Sequence, residues 1–186
     1  MNKNDKISTF IKLYFAAAVK SWRETGQPVT FVLGDAGLES DWGNKAPQNA
    51  FFGIKAGKSW KGKRQQLPTQ EVFPDCNRSL HKFPAVHRIV PFKNQHGETV
   101  YRWYVDDWFR AYDTAAEGFA DHGKFLQENP RYAAAFKYRE AHEFATAIAA
   151  AGYATEPTYA KLLHDCIDSV EGRLPMLGLT VPTRNN

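Results

Sequence analysis

Cysteine is scarce: Cys76 and Cys166 are the only two in 186 residues. Two thiols make no disulfide framework, and free thiols are the expectation for both. Neither the cysteines nor the six histidines fall in a metal-ligand spacing, so no metal and no cofactor is expected. Long apolar runs are also missing, since no stretch reaches the ~20 residues of a membrane-spanning helix. The apolar segment Ile7 to Val19 is interrupted by Lys12 and followed by Lys20 and Trp22. Its apolar residues Ile7, Phe10, Ile11, Tyr14, Phe15 and Ala18 recur at helical spacing, which predicts an amphipathic first helix rather than a cleavable signal segment. There is no internal repeat and no low-complexity tract. Charge is modest as well, a formal +4 with no dense basic run, which argues against nucleic acid as the partner. The best basic cluster, Lys55, Lys58, Lys61, Lys63 and Arg64 around Trp60, suits a solvated loop as well as a groove wall.

Aromatics, by contrast, are plentiful at 14%. Most of the 13 Phe are expected to fill a core, while Trp and Tyr in loops are the better candidates for ligand contact. The length suits one domain over 1–186 with a real core. A first helix is predicted from Asp5 to Glu24, closed at Gly26, and Pro28 opens a second that carries Glu39 in its last turn. Gly34 and Gly37 weaken that helix locally and suit close packing or a close ligand approach. The middle of the chain carries Pro68, Pro74, Pro84 and Pro91 with alternating stretches at Val86–Phe92 and Thr99–Val105. Those stretches joined by 93–97 predict a hairpin within an inserted β lobe over about 65–108. Thr114-Ala115-Ala116-Glu117 is a capping box for a helix ending near Asn129-Pro130. Further helices are expected over Glu140–Ala151, stopping at Gly152, and from Thr155 and Pro157 to Val170, with 172–186 as a tail. The fold class is therefore α+β, mainly α, with a groove between the helical part and the β lobe as the expected site.

One segment stands out for chemistry: Leu38-Glu39-Ser40-Asp41-Trp42-Gly43, followed by Phe52-Gly53-Ile54-Lys55-Ala56. An acid at the end of an apolar run, with aromatics and glycines close behind, suits a proton donor at the mouth of a sugar-binding groove. Apolar neighbours and a helix C-terminus both disfavour the carboxylate and so hold the proton on Glu39. Glycoside hydrolysis needs that donor and a second polar partner. For the partner, Asp35, Asp41, Glu71, Asp75, Asp106 and Asp107 are candidates; Asp35 lies one helical turn before Glu39. From the residues alone, Asp35 and Glu71 remain open alternatives.

The chain resembles bacterial peptidoglycan glucosaminidases of the flagellar-rod and autolysin type. Leu38–Gly43 matches their L-E-S-x-W-G signature, and further blocks follow in the same order. These are Phe52–Ala56, Ser59–Gly62, Thr69-Gln70-Glu71, Phe109–Tyr112, Phe119–His122 with Phe125-Leu126, Asn129–Tyr132, and Gly152–Pro157 with Tyr159. The resemblance implies a lysozyme-like helical fold and cleavage of the β-1,4 bond between N-acetylglucosamine and N-acetylmuramic acid. It implies Glu39 as general acid, Glu71 of the T-x-E block as its partner, and Tyr153 of the G-Y-A-T-D-P block as a third catalytic group. Trp42, Asn49, Phe52, Trp60 and Tyr159 are the substrate-binding candidates, with Trp42 equally suited to packing. Ala50 stands where the family often has asparagine, Asn49 lies one step earlier, and Glu156 replaces the block's aspartate. The section between Glu71 and Phe109 is longer than the family's usual one.

The implied partner is the peptidoglycan glycan strand, and the implied place of action is the periplasm or cell wall. With no recognisable signal segment, export by a dedicated system is expected, as for an antibacterial effector of a type VI secretion system paired with an immunity protein. A phage lysis enzyme, a flagellar or secretion-apparatus hydrolase, and a non-catalytic wall-binding module are the alternatives. A monomer is expected.

Overall fold

The computed structural model describes residues 3–77, 82–154 and 158–183. It is mainly helical with a three-stranded antiparallel sheet, the α+β class expected. The chain divides into two compact units, residues 1–52 with 112–186, and residues 53–111.

Among the described residues the first unit holds five α-helices: α1 (Lys3–Thr25), α2 (Val29–Ser40), α3 (Ala115–Glu128), α4 (Ala141–Ala150) and α5 (Tyr159–Glu171). α1 packs on α3 and α2, and α2 packs in turn on α5 and α4. Gly26 ends α1 at φ +86°, a left-handed turn that favours glycine. Buried Gln27 then ties the junction down, donating to Ser21 Oγ at 2.7 Å and to the Phe119 carbonyl at 2.9 Å. Every residue of α2 from Val29 to Gly37 is buried, Thr30 and Asp35 included, so the helix is surrounded on all sides there. Gly34 makes this possible, because a Cβ there would lie 2.8 Å from Ile167 Cγ1 of α5. Beside buried aliphatic side chains such as Ile11, Leu126, Ile148 and Leu163 the core holds an aromatic cluster, in which Phe10, Phe51, Phe119 and Tyr14 meet with centroids 4.9–6.2 Å apart. Fully burying each phenylalanine contributes about 1.5–3 kcal/mol.

Thr114 caps α3 as its sequence predicts, accepting from the Glu117 amide at 3.3 Å. The reciprocal bond lands one residue early, Glu117 Oε2 accepting from the Asp113 amide at 3.1 Å. α4 runs one residue short of its expected span at each end. The expected helix start at Thr155 and Pro157, and Glu156, lie outside the described residues.

The second unit carries β1 (Arg64–Phe73), β2 (Ala85–Lys93) and β3 (Thr99–Arg110), in the order β1-β3-β2. The expected hairpin is β2–β3, with Gly97 at φ +76° in its turn. β1 is the element the sequence concealed. Pro68 argues against a strand, but β1 is an edge strand, where a missing amide leaves the ladder to β3 intact. Trp103 is fully buried at the centre of β3, with Phe73 and Phe83 against it at 5.6 and 6.2 Å.

Candidate active site

The signature segment is first a way to end a helix. After Ser40 the backbone turns left-handed at three consecutive residues, Asp41 (φ 52°), Trp42 (φ 56°) and Gly43 (φ 84°). Ser40 Oγ holds the turn, donating to the Ala36 carbonyl and accepting from the Gly43 amide at 2.9 Å. The Trp42 amide bonds the Gly37 carbonyl at 2.8 Å. Its ring lies over Gly37, where a Cβ would come within 2.6 Å, and meets Phe10 edge-on at 5.5 Å. Asp41 points away and pairs with Lys6 at 2.8 Å. Bonding to Lys6, then to Asn44, holds the Asp41 carboxyl below its ordinary value. Gly37, Ser40, Trp42 and Gly43 thus fix the last turn of α2, and Glu39 is the group they present.

Glu39 reaches solvent, yet the protein packed around its carboxyl raises its pKa by desolvation. Among the described residues it has no ion-pair partner. One turn earlier on α2, Asp35 is fully buried. Burial pushes the Asp35 carboxyl well above its ordinary range, and the neighbouring Glu39 charge adds to this. Two carboxyls on one helix face cannot both ionise cheaply, so the pair retains a proton that lone acids would release. The Tyr159 hydroxyl donates to Asp35 Oδ1 at 2.9 Å, a bond that favours the charged form but does not overcome burial.

Asp35 Oδ2 has no hydrogen-bond partner among the described residues and lies 3.6 Å from His122 Nε2 of α3. His122 is fully buried, its ring stacked 3.8 Å from that of Phe52 at 11°. Desolvation lowers its pKa from 6.5 to about 3, so the imidazole is neutral. Its Nε2 is 3.1 Å from the Tyr153 hydroxyl, while Nδ1 has no partner among the described residues. An orphaned N–H is rarer and costlier than an orphaned lone pair. The proton therefore sits on Nε2, and His122 donates to Tyr153. That leaves the hydrogen of the Tyr153 hydroxyl available for another acceptor. Burial raises the Tyr153 pKa well above its ordinary value, with Asp35 and Glu39 adding to the effect, so the hydroxyl stays protonated. Tyr159 is raised for the same reasons.

The structure thus gathers Glu39, Tyr153, Tyr159 and Phe52 of the expected residues in the helical unit, with Phe52 and Tyr159 facing inward. Asn49, at φ 58°, donates to the Tyr112 carbonyl at 3.1 Å. Glu71 and Trp60 belong to the other unit. Glu71 sits on β1 and pairs with Lys55 Nζ at 2.7 Å, which also pairs with Asp107 at 2.7 Å. Trp60 folds onto its own loop: Nε1 donates to the Lys63 carbonyl at 2.8 Å, and Arg110 lies over its ring at 4.4 Å.

His122 is the site residue that sequence reasoning missed. The available signal was its place on the buried face of α3, between Phe119 and Leu126 at helical spacing. Asp35 was recognised as sharing a face with Glu39, but its full burial was hidden by the glycines and polar residues around it.

The glucosaminidase family, described as mannosyl-glycoprotein endo-beta-N-acetylglucosaminidase, matches residues 15–172. A peptidoglycan hydrolase FlgJ of Vibrio parahaemolyticus is 33% identical over 165 residues, 85% of this chain and 46% of that protein. The chain spans less than half the length of this curated relative. The glycoside hydrolase domain of Salmonella typhimurium FlgJ has a TM-score of 0.66 at 26% identity, over 96% of this chain and 94% of that one. A mutant peptidoglycan hydrolase from Sphingomonas sp. A1 has a TM-score of 0.68 at 28% identity, over 91% of this chain and 99% of the other. The chain belongs to the glucosaminidase family of glycoside hydrolases.

Proposed function

We propose that this chain hydrolyses peptidoglycan, cleaving the β-1,4 bond from N-acetylglucosamine to N-acetylmuramic acid with Glu39 as general acid. The observation that carries this reading is the Glu39 carboxyl, pushed up by burial, paired with no cation among the described residues, and backed by buried Asp35. An acid in that state holds a proton for the leaving glycosidic oxygen. Tyr153, itself held by His122, directs its hydroxyl hydrogen to the substrate acetamido group or to the attacking water. Glu71 is the proposed second carboxylate. Its carboxylate, 2.7 Å from Lys55 Nζ, is the group proposed to stabilise the oxocarbenium-like transition state. Trp42, Asn49 and Trp60 remain the proposed contacts to flanking sugars.

Mass spectrometry of muropeptides released from purified sacculi tests the reading. Products ending in reducing N-acetylglucosamine are expected. Reducing N-acetylmuramic acid would make the enzyme a muramidase, and no release would remove the activity altogether.

The finer proposal is an exported antibacterial toxin held in check by an immunity protein. Its support is the wall substrate named for the relatives. Periplasm-directed chain should lyse the producing cell, and a small periplasmic protein encoded beside it should protect. Lysis with no protecting neighbour would remove the toxin role and leave the hydrolase.

A further inference from the structure

A second cluster of ionisable groups lies far along α2 from Glu39. Thr30 opens that helix, and nine residues at 1.5 Å rise put it roughly 14 Å from Glu39 along the axis. Here His142 of α4 meets Asp168 and Glu171 of α5. His142 Nε2 is 3.2 Å from Asp168 Oδ1 and 3.7 Å from Glu171 Oε2. One donor atom from each of the three lies within 4.8 Å of the others.

The hydrogen bonds behind His142 decide what its Nε2 offers. Thr146 Oγ1 donates to the His142 carbonyl at 2.8 Å, and a carbonyl can only accept, so the hydroxyl hydrogen is committed. The same oxygen is 3.2 Å from His164 Nε2. That contact requires His164 to donate from Nε2. A neutral His164 then has a bare Nδ1, which faces His142 Nδ1 at 2.7 Å with the ring planes 8° apart. His142 must supply the proton of that bond. A neutral His142 is left with a bare Nε2 lone pair aimed at two carboxylates.

Three donor atoms converging on one point can share a cation, either a proton on Nε2 or a metal ion bound by all three. Bonds of 2.0–2.2 Å to a tetrahedral zinc ion put ligand atoms about 3.3–3.6 Å apart, and the two Nε2 distances bracket that spacing. The ligands are also held from behind, as metal ligands commonly are. His164 and Thr146 orient the imidazole. Thr30 Oγ1 donates to Glu171 Oε1 at 2.7 Å and leaves Oε2 toward His142. We propose that His142, Asp168 and Glu171 form a binding site for a divalent transition-metal ion of the zinc class, clasping α4 to α5. One imidazole and two carboxylates suit Zn²⁺ or Mn²⁺ better than the thiol-seeking Cu(I). Open coordination positions remain for water.

The test is calorimetric titration of Zn²⁺ into the metal-free full chain, with far-UV circular dichroism to check each variant's fold. One saturable site per chain is expected. His142→Ala and Asp168→Asn should abolish it. His164→Leu should weaken it about 10–100-fold by releasing the buttress. His87→Ala should leave it intact, although His87 also faces an aspartate, Asp106, at 3.0 Å. Asp168 is exposed, so its asparagine variant keeps the fold even if the His142 variant does not. Zinc at 100-fold over its Kd should raise Tm by roughly 5–10 °C in the parent and not in Asp168→Asn. No saturable uptake would overturn the site, as would uptake indifferent to these substitutions. So would a histidine NMR titration in which His142 remains an imidazolium when zinc is added, since a proton would then fill the gap.

Discussion

Glu39 and Glu71 are the same residue type set in opposite surroundings. Glu39 ends a buried helix, above a second carboxyl, with no cation beside it among the described residues, and burial raises its pKa. Glu71 lies on an edge strand with the Lys55 ammonium at 2.7 Å, and Lys55 also reaches Asp107. The first setting favours a carboxyl that keeps its proton, and the second sets the carboxylate against a cation. Glycoside hydrolysis asks one acid and one carboxylate of its two partners, and local environment alone can assign such roles. The same contrast separates the histidines. His122 is sealed in the core and neutral, whereas His142 lies near the surface against two carboxylates.

The contrast can be broken at five residues. The largest effect should come from Glu39→Gln, which keeps the shape and loses the proton. Lysis of purified sacculi should fall about 10²–10⁴-fold with Tm nearly unchanged; parent-like lysis would remove Glu39 from the chemistry. Tyr153→Phe should follow at about 10²-fold, the usual cost of one donor aimed at the reacting centre. If kcat survives and only KM rises, the hydroxyl binds sugar without aiding the reaction.

Stability against pH separates the two buried groups, because their shifts have opposite signs. The Asp35 pKa is raised in the fold, so the native state binds the proton that the unfolded chain has released. Its contribution is fully present at low pH and is lost as pH climbs from the ordinary aspartate value toward the raised one. Asp35→Asn should remove that decline. His122 is lowered from 6.5 to about 3, so its contribution is present above 6.5 and is lost as pH falls through that window. His122→Phe should flatten the acid side instead. Each slope is bounded at about 1.4 kcal/mol per pH unit, and urea melts across pH 3–8 would read both. Slopes of the same sign would contradict the assignment. The smallest effect should be Lys55→Met, which removes a half-exposed cation worth about 1 kcal/mol to folding. If Glu71 needs that partner for its role, activity should drop more than Tm does.

Much of this was legible in the chain. The helices carried period and caps, Thr114 and Gly152 above all, and the β2–β3 hairpin carried its alternation and its turn. β1 was not legible, because Pro68 reads as a strand breaker unless the strand is known to be an edge. Glu39 stood out because its neighbours are the residues that a sharp helix stop requires. The part they play was less visible. Trp42 suited a sugar platform and packing equally, and the structure lays it over Gly37. His122 gave no local sign of function, since its meaning arises only where α3 brings it to Asp35 of α2 and to Tyr153. The His142 cluster was hidden for the same reason. Its ligands are 26 and 29 positions apart in the chain, and only the pairing of α4 with α5 unites them.

The most direct test is a carbon-detected NMR titration of the Glu39 side-chain carboxyl in the intact chain, assigned through Glu39→Gln. The account predicts a midpoint above the ordinary glutamate range that moves when Asp35 is changed to asparagine. A midpoint at or below that range, indifferent to Asp35, would mean the carboxyl is an ordinary surface acid and would contradict the proposed proton donor.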